Sequence, residues 1–246
     1  MKLFRTFFTF FTLLIFVFSL SNASAATVSN EKDLQKQLNE QLKYLESADG
    51  YIGYLEDLIT EGNELAKEGL EKFLALEKNE QEAFLLILSD TGHLLDEISR
   101  GSSSITINGE EFQIGVEAND ETPRNSLAAS KTEEKSYSLY VGSLKVSTIY
   151  SSVTFEHNGG NATKVVTGNH WHSNINPAMI WTKQTGSDYL SGGLAYHRGE
   201  WTVYATGGLG FINDTFKLWV GANATSRYWQ LDSTHPNFPL IPWTKY

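Results

Sequence analysis

The segment SITINGEEFQIGV, Ser104 to Val116, marks the point at which the chain changes from helical to strand patterning. Apolar residues alternate with polar residues on both sides of Asn108-Gly109, and this period of two is typical of half-buried strands. Asn-Gly accepts the positive φ angles that a two-residue hairpin turn requires. The segment therefore predicts a β-hairpin over residues 101–117, with helices before it and a sheet after it.

On the N-terminal side of the hairpin, residues 26–100 have the pattern of an acidic helical region. Leucines recur at helical spacing and form one apolar stripe: Leu34, Leu38, Leu42 and Leu45. Asp49-Gly50 predicts the end of this first helix, and Gly62 predicts a break in a second helical stretch. A third helix is predicted to begin at Asn79, with Glu82 in the capping-box position. The pattern favours a small helical bundle with an acidic surface.

Residues 1–25 have the three parts of a secretory signal peptide. They comprise a basic start with Lys2 and Arg5, an apolar run, and a small-residue cleavage site at Ala23-Ser24-Ala25. The apolar run is short for a membrane span and threonines interrupt it, although an uncleaved anchor is the alternative. We therefore expect the mature protein to be secreted.

Charge and cysteine content narrow the class of protein. The chain has 29 acidic and 19 basic residues, and 24 of the acidic residues lie within residues 26–135. Nucleic acid is not an expected partner, because the chain has no basic stripe to displace its counterions. The absence of cysteine rules out disulfides, thiol nucleophiles and cysteine-type zinc sites. An exported protein without cysteine fits a Gram-positive bacterium.

After the hairpin, residues 118–135 are polar and without periodicity, which predicts a linker open to proteases. Residues 136–246 contain all six tryptophans and runs rich in valine, threonine and tyrosine, which predicts an aromatic-rich antiparallel β domain. The predicted strands are residues 138–146, 147–155, 162–166, 179–183, 194–197, 201–206 and 215–220. We predict an α+β fold in which an N-terminal helical segment is followed by an antiparallel β-sandwich-like domain, with a barrel as the alternative.

One short motif occurs twice in this domain, as YLSGGLAY, Tyr189 to Tyr196, and as YATGGLGF, Tyr204 to Phe211. Both copies have an aromatic residue at each end and Gly-Gly-Leu in the middle. Two adjacent hairpins of similar build would produce the pair, and so would chance in a sheet rich in glycine and tyrosine.

His170 and His172 are weak candidates for metal ligands. Alternate residues of a strand share a face, so these two imidazoles can approach one ion while Trp171 points the other way. A zinc site needs three or four ligands, and no motif fixes a third. Sheet histidines next to a turn into Pro177 are the other interpretation. No cofactor is expected, and no catalytic residue is assigned, because no hydrolase motif is present.

The aromatic residues indicate a function more strongly than the two histidines do. Tryptophan and tyrosine combine a large apolar surface with a hydrogen-bonding group, which suits a sandwich core, a sugar-stacking platform or a lipid interface. We expect core packing to account for at least half of the tryptophans. The candidate residues for binding a membrane or a glycan are Trp171, Trp201, Trp219, Tyr189 and Tyr204.

Two stretches resemble the secreted, cysteine-free, geobacillin-type large bacteriocins of Gram-positive bacteria. The first is KFLALEKNEQEAFLLILSD, which contains Phe73 to Asp90. The second is NHWHSNINPAMIWTKQTGSDYLSGGLAYHRGEWTV, with its Asn176-Pro177 turn. The resemblance implies an unmodified antibacterial protein, and it supplies no catalytic residue.

Together these features predict a secreted, non-enzymatic, antimicrobial effector of bacteriocin-like type. We expect it to act on a bacterial membrane or cell-envelope component through its aromatic β domain. A cell-wall or carbohydrate-binding module is the alternative, and a metal-dependent hydrolase is the second alternative. The sequence makes no prediction of oligomeric state.

Overall fold

The fold was analysed in a computed structural model that describes residues 31–120, 130–207, 210–236, 238 and 240–246. The predicted signal peptide, residues 1–25, lies outside the described residues, as does the middle of the predicted linker. The described chain has an α+β fold, in which helices come first and two antiparallel sheets follow. This confirms the predicted fold class.

Five helices occupy residues 31–99 of the described chain. They are α1 (31–41), α2 (Ala48–Thr60), α3 (Glu64–Leu74), α4 (Lys78–Ser89) and α5 (Thr91–Ser99), with a short 3-10 turn at Leu42–Leu45. The predicted break at Gly62 is confirmed, because this glycine has a φ of 86° between α2 and α3. No helix among these residues has both the length and the apolar character needed to cross a membrane.

Two predicted helix boundaries are wrong, the end at Asp49-Gly50 and the start at Asn79. In both places another side chain caps the helix. Asp49-Gly50 lies in the first turn of α2, where the Ser47 side chain accepts a hydrogen bond from the Gly50 amide. Helix α4 begins one residue before Asn79, and its capping box joins Glu77 to Glu80 rather than using Glu82.

The sheets are built from strands that are mostly neighbours along the chain. Sheet 1 has the order β1 (Ser104–Ile107), β2 (Glu110–Asp120), β3 (Ser130–Val141), β4 (Leu144–His157) and β5 (Ala162–Asn174). Sheet 2 contains β6 (Met179–Lys183), β7 (Ser187–Ser191), β8 (Leu194–Gly207), β9 (Gly210–Ala222), β10 (Arg227–Ser233) and β11 (Ile241–Lys245). Its order is β11-β10-β9-β8-β6, and β7 also pairs with β8.

The predicted hairpin is confirmed, but it does not stand apart from the β domain. Its turn is Asn108-Gly109, with φ angles of 53° and 88°. Strand β2 pairs with β3 from Ile114 to Asp120, so the hairpin forms the edge of sheet 1. Residues 118–120 end β2 and residues 130–135 begin β3, which corrects the prediction that all of 118–135 is a linker. The sequence of these strand ends shows no alternation of apolar and polar residues, because polar side chains occupy most positions. The pattern therefore did not indicate strands there.

The predicted strands of the β domain differ from the observed ones mainly in length. The turn between β3 and β4 is at Gly142-Ser143, not between residues 146 and 147, and Gly142 has a positive φ of 59°. The two predicted strands 194–197 and 201–206 are one continuous strand, β8. Strands β7, β10 and β11 were not predicted, because they are short and carry few aliphatic residues.

The helices pack against one end of the sandwich formed by the two sheets. Tyr51 of α2 donates a hydrogen bond to the carbonyl of Ile175 at 3.0 Å. The buried Asn176 side chain donates to Thr91 of α5 at 2.8 Å. These residues belong to the segment that connects sheet 1 to sheet 2, so the helices hold the crossover between the sheets in place.

Two glycines in the helices provide a matched test of this packing. Gly92 of α5 faces hairpin β8–β9, and a Cβ added there would lie 2.8 Å from the Cα of Gly207. Gly53 of α2 has nothing within 4 Å of the same added atom. We expect Gly92→Ala to lower the free energy of unfolding by about 1 to 3 kcal/mol through overpacking. Gly53→Ala should raise it by about 0.5 to 1 kcal/mol through better helix propensity.

Urea unfolding followed by tryptophan fluorescence measures both changes. Equal and small effects of the two substitutions would show that α5 does not pack tightly on the sheet.

Candidate functional site

The candidate site lies on the outer face of sheet 2, and the alternation of β8 places it there. Every second residue from Ala195 to Ala205 is buried between the sheets, while the residues between them are partly exposed. Tyr196, Arg198 and Tyr204 therefore point away from the core. The register of β8 with β9 puts Trp219 opposite Arg198 on the same outer face.

Four rings on this face form a cluster that we call the aromatic patch: Tyr189, Tyr196, Trp219 and Trp243. The two tyrosine rings stack with centroids 4.7 Å apart and an interplanar angle of 11°. Trp243 meets Tyr196 edge-on at 5.5 Å, and Trp219 meets Tyr189 edge-on at 6.3 Å. Tyr189 and Trp243 keep 38% and 43% of their surface exposed, so the patch is open to a partner.

Two features hold the rings of the patch against the sheet: a glycine beneath Tyr196 and an arginine beside Trp219. Gly221 lies directly opposite Tyr196, and a Cβ at this glycine would come within 2.5 Å of the tyrosine ring. The ring can therefore lie flat on the strand. The guanidinium of Arg198 sits 5.3 Å from the centre of the Trp219 ring, a cation–π contact that covers one side of the indole.

The tyrosine hydroxyls of the patch stay protonated at physiological pH. Burial is the main cause that raises the pKa of both Tyr189 and Tyr196, and each is raised further by a neighbouring tyrosine. Neutral phenols can donate as well as accept hydrogen bonds. The patch thus combines apolar ring surface with hydrogen-bonding groups at its edge.

The repeated motif corresponds to two consecutive hairpins. Tyr189 and Tyr196 stack across hairpin β7–β8, whose turn is Gly192-Gly193. Tyr204 and Phe211 stack across hairpin β8–β9 with centroids 5.4 Å apart. The pairing in the second hairpin is shifted by two residues, because Thr206 pairs with Phe211 where the motif would pair it with Leu209. The duplicated motif therefore marks two stacked aromatic pairs on one face.

The five aromatic residues predicted to bind a surface do not lie together. Trp219 and Tyr189 belong to the aromatic patch, and Tyr204 lies further along the same face of sheet 2. Trp171 stacks on Tyr150 on the outer face of sheet 1. The prediction that Trp201 binds an external surface is wrong. Trp201 is 0% exposed and packs between the sheets, so no external surface can reach it.

Sequence reasoning missed two members of the patch, Tyr196 and Trp243. Tyr196 could have been found, because it ends the first copy of the repeated motif and sits opposite Tyr189 in a two-residue hairpin. Trp243 belongs to β11, a strand with too little local pattern to be predicted.

His170 and His172 share one face of β5, as their alternation predicted, and this face is turned towards sheet 2. They do not combine as a pair of ligands. His172 stacks with Trp181 at a centroid distance of 6.2 Å. His170 is buried, and both of its ring nitrogens have partners: Nε2 is 2.9 Å from the carbonyl oxygen of Gln184, and Nδ1 is 3.1 Å from Nε2 of His197.

A hydrogen-bonded chain runs through these two imidazoles from sheet 1 to sheet 2. The Gln184 carbonyl can only accept, so His170 donates from Nε2 and accepts at Nδ1 from His197. Nδ1 of His197 contacts Asp188, which also accepts from the Gly168 amide at 3.0 Å. Two neutral rings supply only two of the three protons that these contacts need.

The chain is a buried polar layer between two apolar clusters. On one side lies a small cluster that includes Val153 and Phe155, and on the other lies the main core that includes Trp201. Gly168, Gly186 and Gly199 line the layer, and a Cβ at any of them would clash with one of the two imidazoles. The lack of side chains at these positions makes room for His170 and His197.

Within the described ranges, no three histidine, aspartate or glutamate side chains converge closely enough to form a preformed metal site. Comparison of the chain with protein-family models, with curated proteins and with solved structures found no match. The function of this chain must therefore be inferred from its own residues.

The buried histidines predict a loss of stability in mild acid. Burial lowers the pKa of His170, His172 and His197, and for His197 the hydrogen bond to Asp188 opposes this effect only in part. The unfolded chain, with histidine pKa values of about 6.5, binds more protons than the folded chain just below that pH. The contribution to the free energy of unfolding is thus complete above about pH 6.5 and is lost as the pH falls through the lowered values.

Urea unfolding at pH 7.5 and at pH 5.5 measures this difference. His172→Gln should reduce the pH dependence, because it removes one of the buried imidazoles. His157→Gln replaces a histidine at the C-terminal end of β4, outside this buried group, and serves as the control. An unaltered pH dependence in His172→Gln would contradict the prediction.

Proposed function

We propose that this protein is an exported, non-enzymatic antibacterial effector that engages a bacterial membrane or cell-envelope surface through the aromatic patch of sheet 2. The observation that carries this proposal is the patch itself. Four aromatic rings in mutual contact lie on the outside of a sheet, and two of them keep about two fifths of their surface exposed. Tryptophan and tyrosine in this setting suit a boundary where apolar and polar groups meet.

Core packing does not account for these rings. The sandwich already has a filled interior, with Trp201 and Trp229 buried between the sheets. The patch rings lie on the opposite side of their strands from that interior. A monomer gains nothing from keeping Trp243 exposed, so a binding role explains its position better than folding does.

The charge distribution supports contact with an anionic bacterial surface. Most acidic residues lie before residue 136, whereas residues 136–246 have 7 basic and 5 acidic residues. Arg198 lies in the patch against Trp219. The acidic helices pack at the end of the sandwich near the β8–β9 turn, and the patch is near the opposite end of β8. This separation limits repulsion between the helices and an anionic surface.

Export and antibacterial action rest on the sequence. The basic, apolar and small-residue segments of residues 1–25 support secretion. The resemblance to geobacillin-type bacteriocins supports an antibacterial role.

A carbohydrate-binding module is the second candidate, and one observation favours it. Arg198 lies beside Trp219 and also pairs with Glu200 at 3.4 Å, so charged hydrogen-bonding groups border the flat rings. Sugar rings have apolar faces and polar edges, and such a border would satisfy both. A metal-dependent hydrolase based on His170 and His172 has no comparable support, since both nitrogens of His170 are already hydrogen-bonded.

Removal of one exposed ring tests the patch. Trp243→Ala should weaken binding to vesicles of mixed anionic and zwitterionic lipid, or to purified cell wall, by about tenfold, the effect of losing ~1.4 kcal/mol at a hot-spot aromatic. Trp171→Ala removes a partly exposed tryptophan from the outer face of sheet 1 and serves as the matched control. Sedimentation of the protein with vesicles or cell wall gives the bound fraction.

Dye release from the same vesicles separates the candidates. Release that Trp243→Ala abolishes supports a membrane-active effector. Saturable binding to cell-wall glycan without dye release supports the carbohydrate-binding module. If wild type, Trp243→Ala and Trp171→Ala bound equally well to every surface tested, the aromatic patch would be excluded as the binding site.

A further inference from the structure

A second site of interest lies at the opposite end of sheet 2, where helix α5 meets hairpin β8–β9. A cleft of about 570 Å³ opens there. Its polar lining consists of three carboxylates and two imidazoles: Asp90, Asp96, Asp214, His93 and His235. Its apolar wall includes Phe211, Ile212 and Pro236. None of these residues contributes to the aromatic patch.

His235 is oriented by hydrogen bonds to its ring and its backbone. Its Nδ1 lies 2.7 Å from Oδ2 of Asp214, while Oδ1 of that carboxylate accepts from Thr234. The backbone amide of His235 donates to Ser233. A neutral imidazole that donates from Nδ1 presents a lone pair at Nε2. The Asp214 carboxylate thus fixes both the tautomer and the direction of the ring.

Nε2 of His235 has no hydrogen-bond partner, although the residue is only 6% exposed. The nearest charged group is the Asp96 carboxylate of α5, whose Oδ1 lies 3.5 Å away. Arg100 approaches the other oxygen, Oδ2, at 4.0 Å, so Oδ1 remains directed at His235. Two acceptor atoms therefore face each other across a gap that is long for a hydrogen bond.

The gap has the length that a tetrahedral metal ion requires. Zinc bonds of about 2.0 to 2.2 Å to nitrogen and oxygen, at the tetrahedral angle, place the two ligand atoms about 3.4 Å apart. A carboxylate that holds the far nitrogen of a ligating histidine is the usual outer partner of such a site. Asp214, His235 and Asp96 reproduce this order of carboxylate, imidazole, metal position and second ligand.

His93 lies in the same cleft as a third potential ligand. It precedes Asp96 by three residues on α5, so both side chains lie on one face of the helix. His93 is exposed, so packing does not fix its side chain, and we infer that a change of rotamer would bring its imidazole to the ion. Two ligand atoms are thus already in place, and the third would join when the ion binds.

We propose that this cleft binds a divalent transition-metal ion of the zinc class, through Nε2 of His235 and Oδ1 of Asp96, with His93 completing the protein ligands. The mixed imidazole and carboxylate set favours such ions over magnesium or calcium, which prefer oxygen ligands. The ion would join helix α5 to β9 and to the segment that follows β10. It would therefore fasten the helical region to sheet 2.

Titration of the full mature chain with Zn²⁺ by calorimetry tests the site directly. We expect one saturable ion per chain and an increase in melting temperature with Zn²⁺ concentration, because the ion binds the folded state. Mg²⁺ at the same concentration should not reproduce the increase. His235→Ala and Asp96→Asn should each abolish this binding. His157→Ala is the matched histidine control and should bind Zn²⁺ as the wild type does.

Asp214→Asn tests whether orientation of the His235 ring by Asp214 contributes to binding, because Asp214 itself is not a proposed ligand of the ion. It leaves His235 and Asp96 present, and it should weaken Zn²⁺ binding by about 10- to 100-fold, as loss of an outer carboxylate partner does. Asp96 is an exposed helix residue, with 46% of its side chain accessible, so Asp96→Asn should fold even if His235→Ala does not. Unchanged stoichiometric Zn²⁺ binding in Asp96→Asn, or no saturable binding by the wild type, would overturn the proposal.

Discussion

The strict alternation of strand β8 is the constraint on which the rest of the structure depends. One set of its side chains, including Trp201 and Val203, fills the space between the sheets, and the other set, including Tyr196 and Arg198, forms the outer face. A slip of one residue in β8 would turn Tyr196 and Arg198 towards the interior and Trp201 towards the outside. Strand β8 pairs with β6, β7 and β9, so its register is transmitted to most of sheet 2. Core and candidate binding surface are thus specified by the same strand.

The polar layer of His170 and His197 is a second feature that fixes the position of sheet 1 against sheet 2. A purely apolar interior tolerates small shifts, because its contacts have no direction. The chain of hydrogen bonds from Gln184 to Asp188 is directional, because the Gln184 carbonyl can only accept and His170 must therefore donate to it from Nε2. A shift of sheet 1 against sheet 2 would leave buried imidazoles without partners, which costs free energy. In a chain without disulfides, this layer aligns the two sheets.

Local pattern predicted the fold class well, because the helices and the Asn108-Gly109 hairpin carry their own periodicity and turn residues. It also predicted that His170 and His172 share a face. Core packing was expected for at least half of the tryptophans; Trp201 and Trp229 are buried, and Trp181 packs against the core while partly exposed. It could not predict which side chains meet between strands far apart in sequence. His170 contacts His197 across 27 residues, and Trp243 contacts Trp219 from a strand without clear alternation. The polar ends of β2 and β3 have the composition of a linker, because strand pairing rather than apolar side chains orders them.

If the aromatic patch binds a partner as proposed, the absence of a side chain at Gly221 affects the entropy and the rate of that binding. It lets the ring of Tyr196 rest on the strand, and the stacked Tyr189 and edge-on Trp243 then hold that ring in place. Side chains that are already ordered lose little rotamer freedom when a partner arrives, so less of the contact energy is offset by ordering. A rigid platform of this kind needs no rearrangement before contact, and collisions in the right orientation become productive at once. A glycine buried beneath a tyrosine can therefore influence affinity without touching the partner.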